Sequence, residues 1–191
     1  EVPFLRPLEL STDKAASLSV IIHALLWLKN QEKWVPDMLM FRPPTNPFIR
    51  PVTIKNMFHK LEETPSANSI VTITKPKTHP FRLVELCQDG KIKNGIISIE
   101  GKTINDIERS QDWPIVWEGS PACRLSRSKY FMKQMKEQTN LNIFSGKTYD
   151  VDNCFGYNVD DIEAFDIDDS KDFKLAELLY LEYKNFLFNS F

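Results

Sequence analysis

MLMFRPPTNPFIRPVTIKNMFHKLEETPSANSIVTIT, residues 38–74, is the stretch that decides the fold. Met38–Phe41 is a short continuous apolar run, which reads as a buried strand. RPPTNP, residues 42–47, cannot be regular structure, because its three prolines remove three backbone donors and fix the loop's shape. A helix is expected to start near Pro51, a favoured first-turn residue, and to run to about Glu63. SIVTIT, Ser69–Thr74, is rich in β-branched residues and reads as a second strand. Strand, loop, helix, strand is α/β alternation, and a mostly parallel sheet is its expected result.

Outward from this stretch, residues 13–30 read as a helix that Ser11, Thr12 or Asp13 can cap. Ala16, Val20, Ala24 and Leu28 line one side, with Leu18, Ile21, Ile22 and Leu25 beside them. So broad an apolar surface suits a helix packed on a sheet. From about residue 81 to 116 the rhythm changes. FRLVEL and IISIE are separated by Asp89-Gly90 and Glu100-Gly101, which are turn signals, so β-hairpins projecting from the α/β body are expected. Further on, residues 122–125 read as a strand, and Ser128 as the cap of a short helix over 130–138. Short strands are expected at 143–150 and 155–159, and a strand end at 164–168. Ser170–Phe188 reads as a closing amphipathic helix, with Phe173, Ala176, Leu179, Tyr180 and Tyr183 inward.

Composition bounds the answer. The 191 residues are 42% hydrophobic, 12% aromatic and 26% charged, enough to bury one real core and too apolar for a disordered chain. Lysine and arginine total 24 against 26 acidic residues, a net charge of −2, so no basic excess is available for nucleic acid. The cysteines, Cys87, Cys123 and Cys154, are odd in number and widely spaced, which argues against a disulfide framework or a zinc site and for a reducing, cytoplasmic setting. The longest apolar stretch, residues 18–28, is broken by His23 and is about half the ~20 residues that span a bilayer, so no membrane segment is expected. No basic region followed by an apolar run opens the sequence, so no secretory signal is expected either.

Five segments could carry chemistry. Asp166-Ile-Asp168-Asp169 is the sharpest. Carboxylates two apart on a strand share a face and can converge on one hard cation such as Mg²⁺ or Mn²⁺. The bland alternative is helix capping, since Asp172 follows Asp169 by three. Arg6, before Pro7, is held extended and can offer its fork to a phosphate, or simply pair with Glu9. The PPTNP loop follows a strand, where ligands bind in open α/β sheets, or is a rigid turn with no ligand. His79 could be a general base or a loop histidine, and Arg82 could hold a carboxylate or phosphate. Arg109-Ser-Gln-Asp112-Trp113 is a polar cluster before an aromatic. No GxSxG, HExxH, Walker loop or GxGxxG is present.

In order, VPFLRPLELSTDKAASLSVIIHAL, FRPPTNPFIRP, SIVTITKPKTHPFRLVEL, ERSQDW and EAFDIDDSKDFKLAE resemble the CMP-sialic acid synthetases (acylneuraminate cytidylyltransferases). The resemblance covers nearly the whole chain. It implies an enzyme that joins CTP to a nine-carbon α-keto acid sugar, giving the CMP-sugar and pyrophosphate. It implies a Rossmann-like α/β fold of the nucleotide-diphospho-sugar transferase type, a mostly parallel sheet sandwiched by helices. One cytidylyltransferase domain would span 1–191, with 83–120 as a β-rich insertion that pairs two copies into a homodimer. Arg6 and Ser17 match family positions that touch the nucleotide, Arg82 and Arg109 match positions of the sugar pocket, and Asp166 and Asp168 match the metal-binding, catalytic aspartates.

The chain departs from the family's pattern in three places. A glycine- and basic-rich loop that opens the family lies upstream of residue 1, so some 60–70 further residues are expected in the native polypeptide and little turnover from these 191 alone. Pro43 replaces the polar residue that often precedes the family's P-T-S-P, with Arg42 one place earlier. Ser120-Pro121-Ala122-Cys123-Arg124 stands where the N-G-x-x-Y stretch of the sugar pocket is expected. Two alternatives stay open: a non-catalytic, dimerising relative that lost the triphosphate loop, and a glycosyltransferase that uses the DxD pair on a nucleotide-sugar.

Overall fold

The computed structural model describes residues 4–137 and 147–188. The chain forms two compact units, Glu1–Ile73 with Ser120–Phe191, and Thr74–Gly119.

In the larger unit the first helix, α1, is Ser17–Gln31. It starts later than residue 13, because Ser11 and Thr12 serve the turn before it. The Ser11 hydroxyl donates to the Pro7 carbonyl at 3.0 Å, and the Ala15 amide donates to the Thr12 carbonyl at 3.0 Å. Ala16 then precedes the helix without a side-chain cap. Strand β1 is Met38–Phe41, helix α2 Pro51–Glu63 and strand β2 Ser69–Thr74, as the sequence implies. After the smaller unit's short strands β3 (Glu85–Leu86) and β4 (Ile92–Lys93), β5 is a ten-residue strand, Glu118–Arg127, longer than the four residues expected there. It runs directly into helix α3, Ser128–Glu137. Strand β6 is Cys154–Asn158 and helix α4 is Ser170–Phe188.

The sheet has the order β1-β5-β2-β6. β1 pairs antiparallel with β5 (Met38 opposite Arg127), and β2 pairs parallel with β6 (Ile70 opposite Phe155). Between β5 and β2, Ser69 meets Ser126 through their hydroxyls at 2.8 Å, and the Thr72 hydroxyl donates to the Cys123 carbonyl at 3.1 Å, which fixes an antiparallel register. So β1, β2 and β6 run one way and only β5 runs against them. Helices cover both faces. Leu39 and Phe41 pack toward α1 and α3, against Leu18, Ile22, Leu25 and Phe131. On the other face Met57 and Leu61 of α2 cover Ile70, Ala122 and Leu125. β1 is an edge strand of this sheet rather than a fully buried one, and Met40 is 40% exposed.

Three further expectations change. Residues 161–164 form a turn and 165–169 continue it without a strand ladder, because Asp160 Oδ1 takes the amides of Ile162 and Glu163 and folds the chain before any strand can form. Of the strand expected at 143–150, residues 143–146 lie outside the described residues. Residues 147–150 bend instead, and Asp150 accepts from Asn68 Nδ2 at 2.7 Å and from the amides of Asp152 and Asn153. Helix α4 buries a narrower stripe than its composition suggests. Ala176 and Leu179 pack on Phe48, Ile162, Phe165 and Ile167, whereas Phe173, Tyr180 and Tyr183 remain substantially exposed.

The smaller unit holds the hairpin β3–β4, turned at Asp89-Gly90, where Gly90 has φ +81°. A second tight turn at Glu100-Gly101 closes an Ile99–Lys102 bridge. Phe81 packs edge to face on both His79 and Trp113, and His79 lies tilted against Trp113. Among the described residues no helix is long and apolar enough to cross a membrane.

Candidate functional site

Because β1, β2 and β6 run in the same direction, the segments that follow them leave from the same, carboxyl, end of the sheet. That is where open α/β sheets bind ligands. Residues 42–47 follow β1 at one edge. Residues 159–169 follow β6 at the other edge and must cross about 14 Å of sheet, at about 4.8 Å per strand, to reach β1. They do so. The Asn46 side-chain amide donates through Nδ2 to the Phe165 carbonyl at 2.9 Å, and the Ile167 amide donates to the Thr45 carbonyl at 3.0 Å. Asp166 is bracketed by these two hydrogen bonds.

The seam is braced on both sides. Arg42 Nη2 donates to the Asn46 and Pro47 carbonyls at 3.1 and 3.4 Å, which holds the proline-rich loop in its bend. Arg50 binds Glu163 twice, through its backbone amide to Oε1 at 2.9 Å and through its guanidinium to Oε2, and adds Asp160 at 3.3 Å. Hydrogen bonding by Glu163 is the leading reason that the Arg50 pKa lies above its ordinary value, more than offsetting the cost of burial.

The aspartates of 166–172 sort by partner. Asp169 Oδ1 accepts the amides of Lys171 and Asp172 at 2.6 and 3.0 Å, and Asp172 Oδ2 accepts those of Asp168 and Asp169 at 3.1 and 3.2 Å. That is a reciprocal cap on α4, so Asp169 and Asp172 are spent on the helix start. Asp166 and Asp168 are not. Asp166 Oδ1 is buried with no partner, and the Asp168 carboxylate is exposed and accepts no hydrogen bond from the described residues. A buried carboxylate oxygen without a donor is costly, and a hard cation that needs only oxygen acceptors fits it. No group of three His, Cys, Asp or Glu side chains is gathered there or elsewhere among the described residues, and because residues 165–169 form no strand, the shared strand face expected for Asp166 and Asp168 does not hold.

The remaining candidates fall in different places. Arg6 is exposed on the extended segment before α1, and Ser17 is the exposed first residue of α1; no hydrogen bond or ion pair joins either to Asp166 or Asp168. In the smaller unit, Arg82 lies over the Trp113 ring at 5.6 Å, and Arg109 pairs with Asp112 at 3.3 Å in an exposed contact. His79 has both ring nitrogens engaged. Nδ1 accepts the Phe81 amide at 3.1 Å, so Nε2 carries the proton and donates to the Pro114 carbonyl at 3.0 Å. It is a loop histidine, not a free base. The residues that sequence alone does not flag are Asn46, Arg50 and Glu163. Their only signal is position, within the PPTNP loop, just after it, and just ahead of the acidic run.

No protein-family model matches the chain, and no curated protein matches it in sequence. Among solved structures, it superposes on 4-diphosphocytidyl-2C-methyl-D-erythritol synthase from Anaerococcus prevotii with a TM-score of 0.51 at 13% identity, over 88% of this chain and 68% of that one. The two share a fold, a mixed α/β sheet with flanking helices of the nucleotide-diphospho-sugar transferase type.

Proposed function

We propose that this chain belongs to a nucleotidyltransferase that uses CTP, and that its acceptor is a sialic-acid-like nine-carbon α-keto acid sugar. The observation that carries the reading is the seam itself. Asp166, with a buried oxygen that has no partner, lies at the carboxyl end of the sheet against a rigid loop, and Asp168, uncommitted to the helix cap, follows two residues on. The fold shared with a solved protein named as a diphosphocytidyl-sugar-alcohol synthase supports the nucleotide class. The order of motifs along the chain supports the sugar acid.

In this reading Asp166 and Asp168 hold Mg²⁺ or Mn²⁺. A divalent ion there supplies charge that offsets the triphosphate and the departing pyrophosphate. Arg6 and Ser17 contact the nucleotide. Arg82 and Arg109 orient the sugar carboxylate with paired hydrogen bonds. The acceptor's anomeric hydroxyl attacks the α-phosphorus, pyrophosphate leaves, and CMP-sugar forms. The smaller unit, with Leu83, Leu86, Ile92, Ile115 and Trp117 exposed, offers the apolar surface on which a second copy of the chain docks.

Pyrophosphate release by the natural polypeptide with CTP and a panel of nonulosonic acids tests the reading. Metal-dependent release with one or more of them is the expected result. Silence across the panel, with CTP failing to protect the protein from heat, would overturn it.

A further inference from the structure

Asn46 is fully buried, and its two polar atoms have unequal fates. Nδ2 is spent on the Phe165 carbonyl at 2.9 Å, while Oδ1 has no partner. Across the same seam, Asp166 Oδ1 is also buried and also without a partner. Two orphaned acceptors on facing segments are a costly arrangement, since each forfeits its hydration without gaining a donor. Neither has a spare proton to offer the other, because an amide carbonyl and a carboxylate both only accept. What satisfies both is a group that offers protons or positive charge to two acceptors at once, a bridging water or a cation. A hard divalent cation is such a group, and side-chain amide carbonyls are among its ordinary oxygen ligands.

From this we infer that Asn46 contributes a third protein oxygen, through Oδ1, to the cation held by Asp166 and Asp168. The inference rests on the cation reading of that pair and adds a residue to it. The hydrogen bond from Nδ2 to Phe165 gives Asn46 its second duty. It fixes the amide's orientation, so the oxygen is presented the same way whether or not a cation is bound. The proline-rich loop then has a physical purpose. Pro43, Pro44 and Pro47 stiffen the backbone on both sides of a residue whose side chain must not wander.

The test is Mn²⁺ binding to the full chain, followed by the electron paramagnetic resonance signal of free Mn²⁺ and by the melting temperature with and without metal. Asn46→Ala is expected to weaken Mn²⁺ binding about tenfold or more, the range seen when a metal site loses a supporting group. Unchanged Mn²⁺ affinity in Asn46→Ala, with only a lower melting temperature in the absence of metal, would reduce Asn46 to a brace and sink the inference. Should Asn46→Ala fail to fold, Asn46→Leu, similar in size and without the oxygen, takes its place. Mn²⁺ binding weakened about tenfold or more supports the third ligand, and wild-type affinity rejects it. Asp168→Asn separates this from the parent reading. Binding that Asp168→Asn abolishes and Asn46→Ala leaves intact defeats only the third ligand. A wild-type chain that binds no Mn²⁺ defeats both.

Discussion

Arg50 and Glu163, 113 residues apart, are joined both through backbone and through side chain: the Arg50 amide donates to Oε1 at 2.9 Å and its guanidinium to Oε2. Arg50 is the residue from which α2 starts, and Glu163 closes the turn that leads into the acidic segment. The pair therefore ties the start of a core helix to the segment that presents Asp166. Glu163 is only 1% exposed, and the Arg50 guanidinium is the counter-charge it meets there. Glu163→Ala should lower unfolding stability by about 3 kcal/mol, since it leaves an arginine without its buried counter-charge. Glu163→Gln keeps one acceptor for the Arg50 amide and should lose less. Urea denaturation reads both, and a loss below about 1 kcal/mol for Glu163→Ala would contradict the linkage.

The start of α4 separates the acidic residues by role. Asp169→Ala and Asp172→Ala should each cost about 1 kcal/mol of stability, the usual worth of a helix cap. The double variant should cost less than the sum, because the two caps share one turn. Asp168→Ala should leave metal-free stability within about 0.5 kcal/mol, since its carboxylate caps nothing. Thermal melts of the four proteins check this, and equal losses at all three positions would erase the distinction.

Asp150 gives the fold an acid limb. Burial alone would raise its pKa, but hydrogen bonds from Asn68, Asn153 and two backbone amides outweigh burial and hold it below its ordinary value of 3.8. A carboxylate depressed in the folded state stabilises the fold above the unfolded pKa, and that stabilisation is lost as pH falls through the folded one. Wild type should therefore be more stable than Asp150→Asn at pH 7, and the gap should narrow below about pH 4. Urea midpoints from pH 7 to pH 3 measure it; parallel curves would exclude Asp150 as the source.

Two of the three thiols should be inert in the folded protein. Burial pushes Cys123 up to about 11, and burial first, then the nearby Asp150, pushes Cys154 up to about 11. At pH 7.5 roughly one such thiol in several thousand is ionised. Brief alkylation of the native chain followed by peptide mass mapping should leave both unmodified, and both should react fully after denaturation. Rapid native labelling of Cys123 would mean that β5 opens far more readily than its buried position implies.

The legible parts of this protein are those where local chemistry and tertiary demand agree. Met38–Phe41, Pro51–Glu63 and Ser69–Thr74 form where apolar runs, a first-turn proline and β-branched residues each favour one conformation. The turns at Asp89-Gly90 and Glu100-Gly101 are legible for the same reason, since Gly90 and Gly101 take φ of +81° and +77°, which glycine adopts at no steric cost. The amino-acid order also carried the acidic pair, its capping alternative and the proline-rich loop.

Which acids cap and which stay free was decided by where Asp172 lies once α4 has formed. The joining of the proline-rich loop to the acidic segment was decided by residues 119 apart in the chain, Asn46 and Phe165, coming into hydrogen-bond contact. Asp160 folded its neighbours into a turn where alternation alone favours a strand, because one carboxylate could satisfy two amides at once. Helix α4 kept its bounds but not its buried face, since the inward surface depends on which side chains another element covers. Periodicity, turn residues and proline act over a few bonds and are written in the chain. Burial, register and the pairing of distant polar groups depend on surfaces that exist only after the chain has folded.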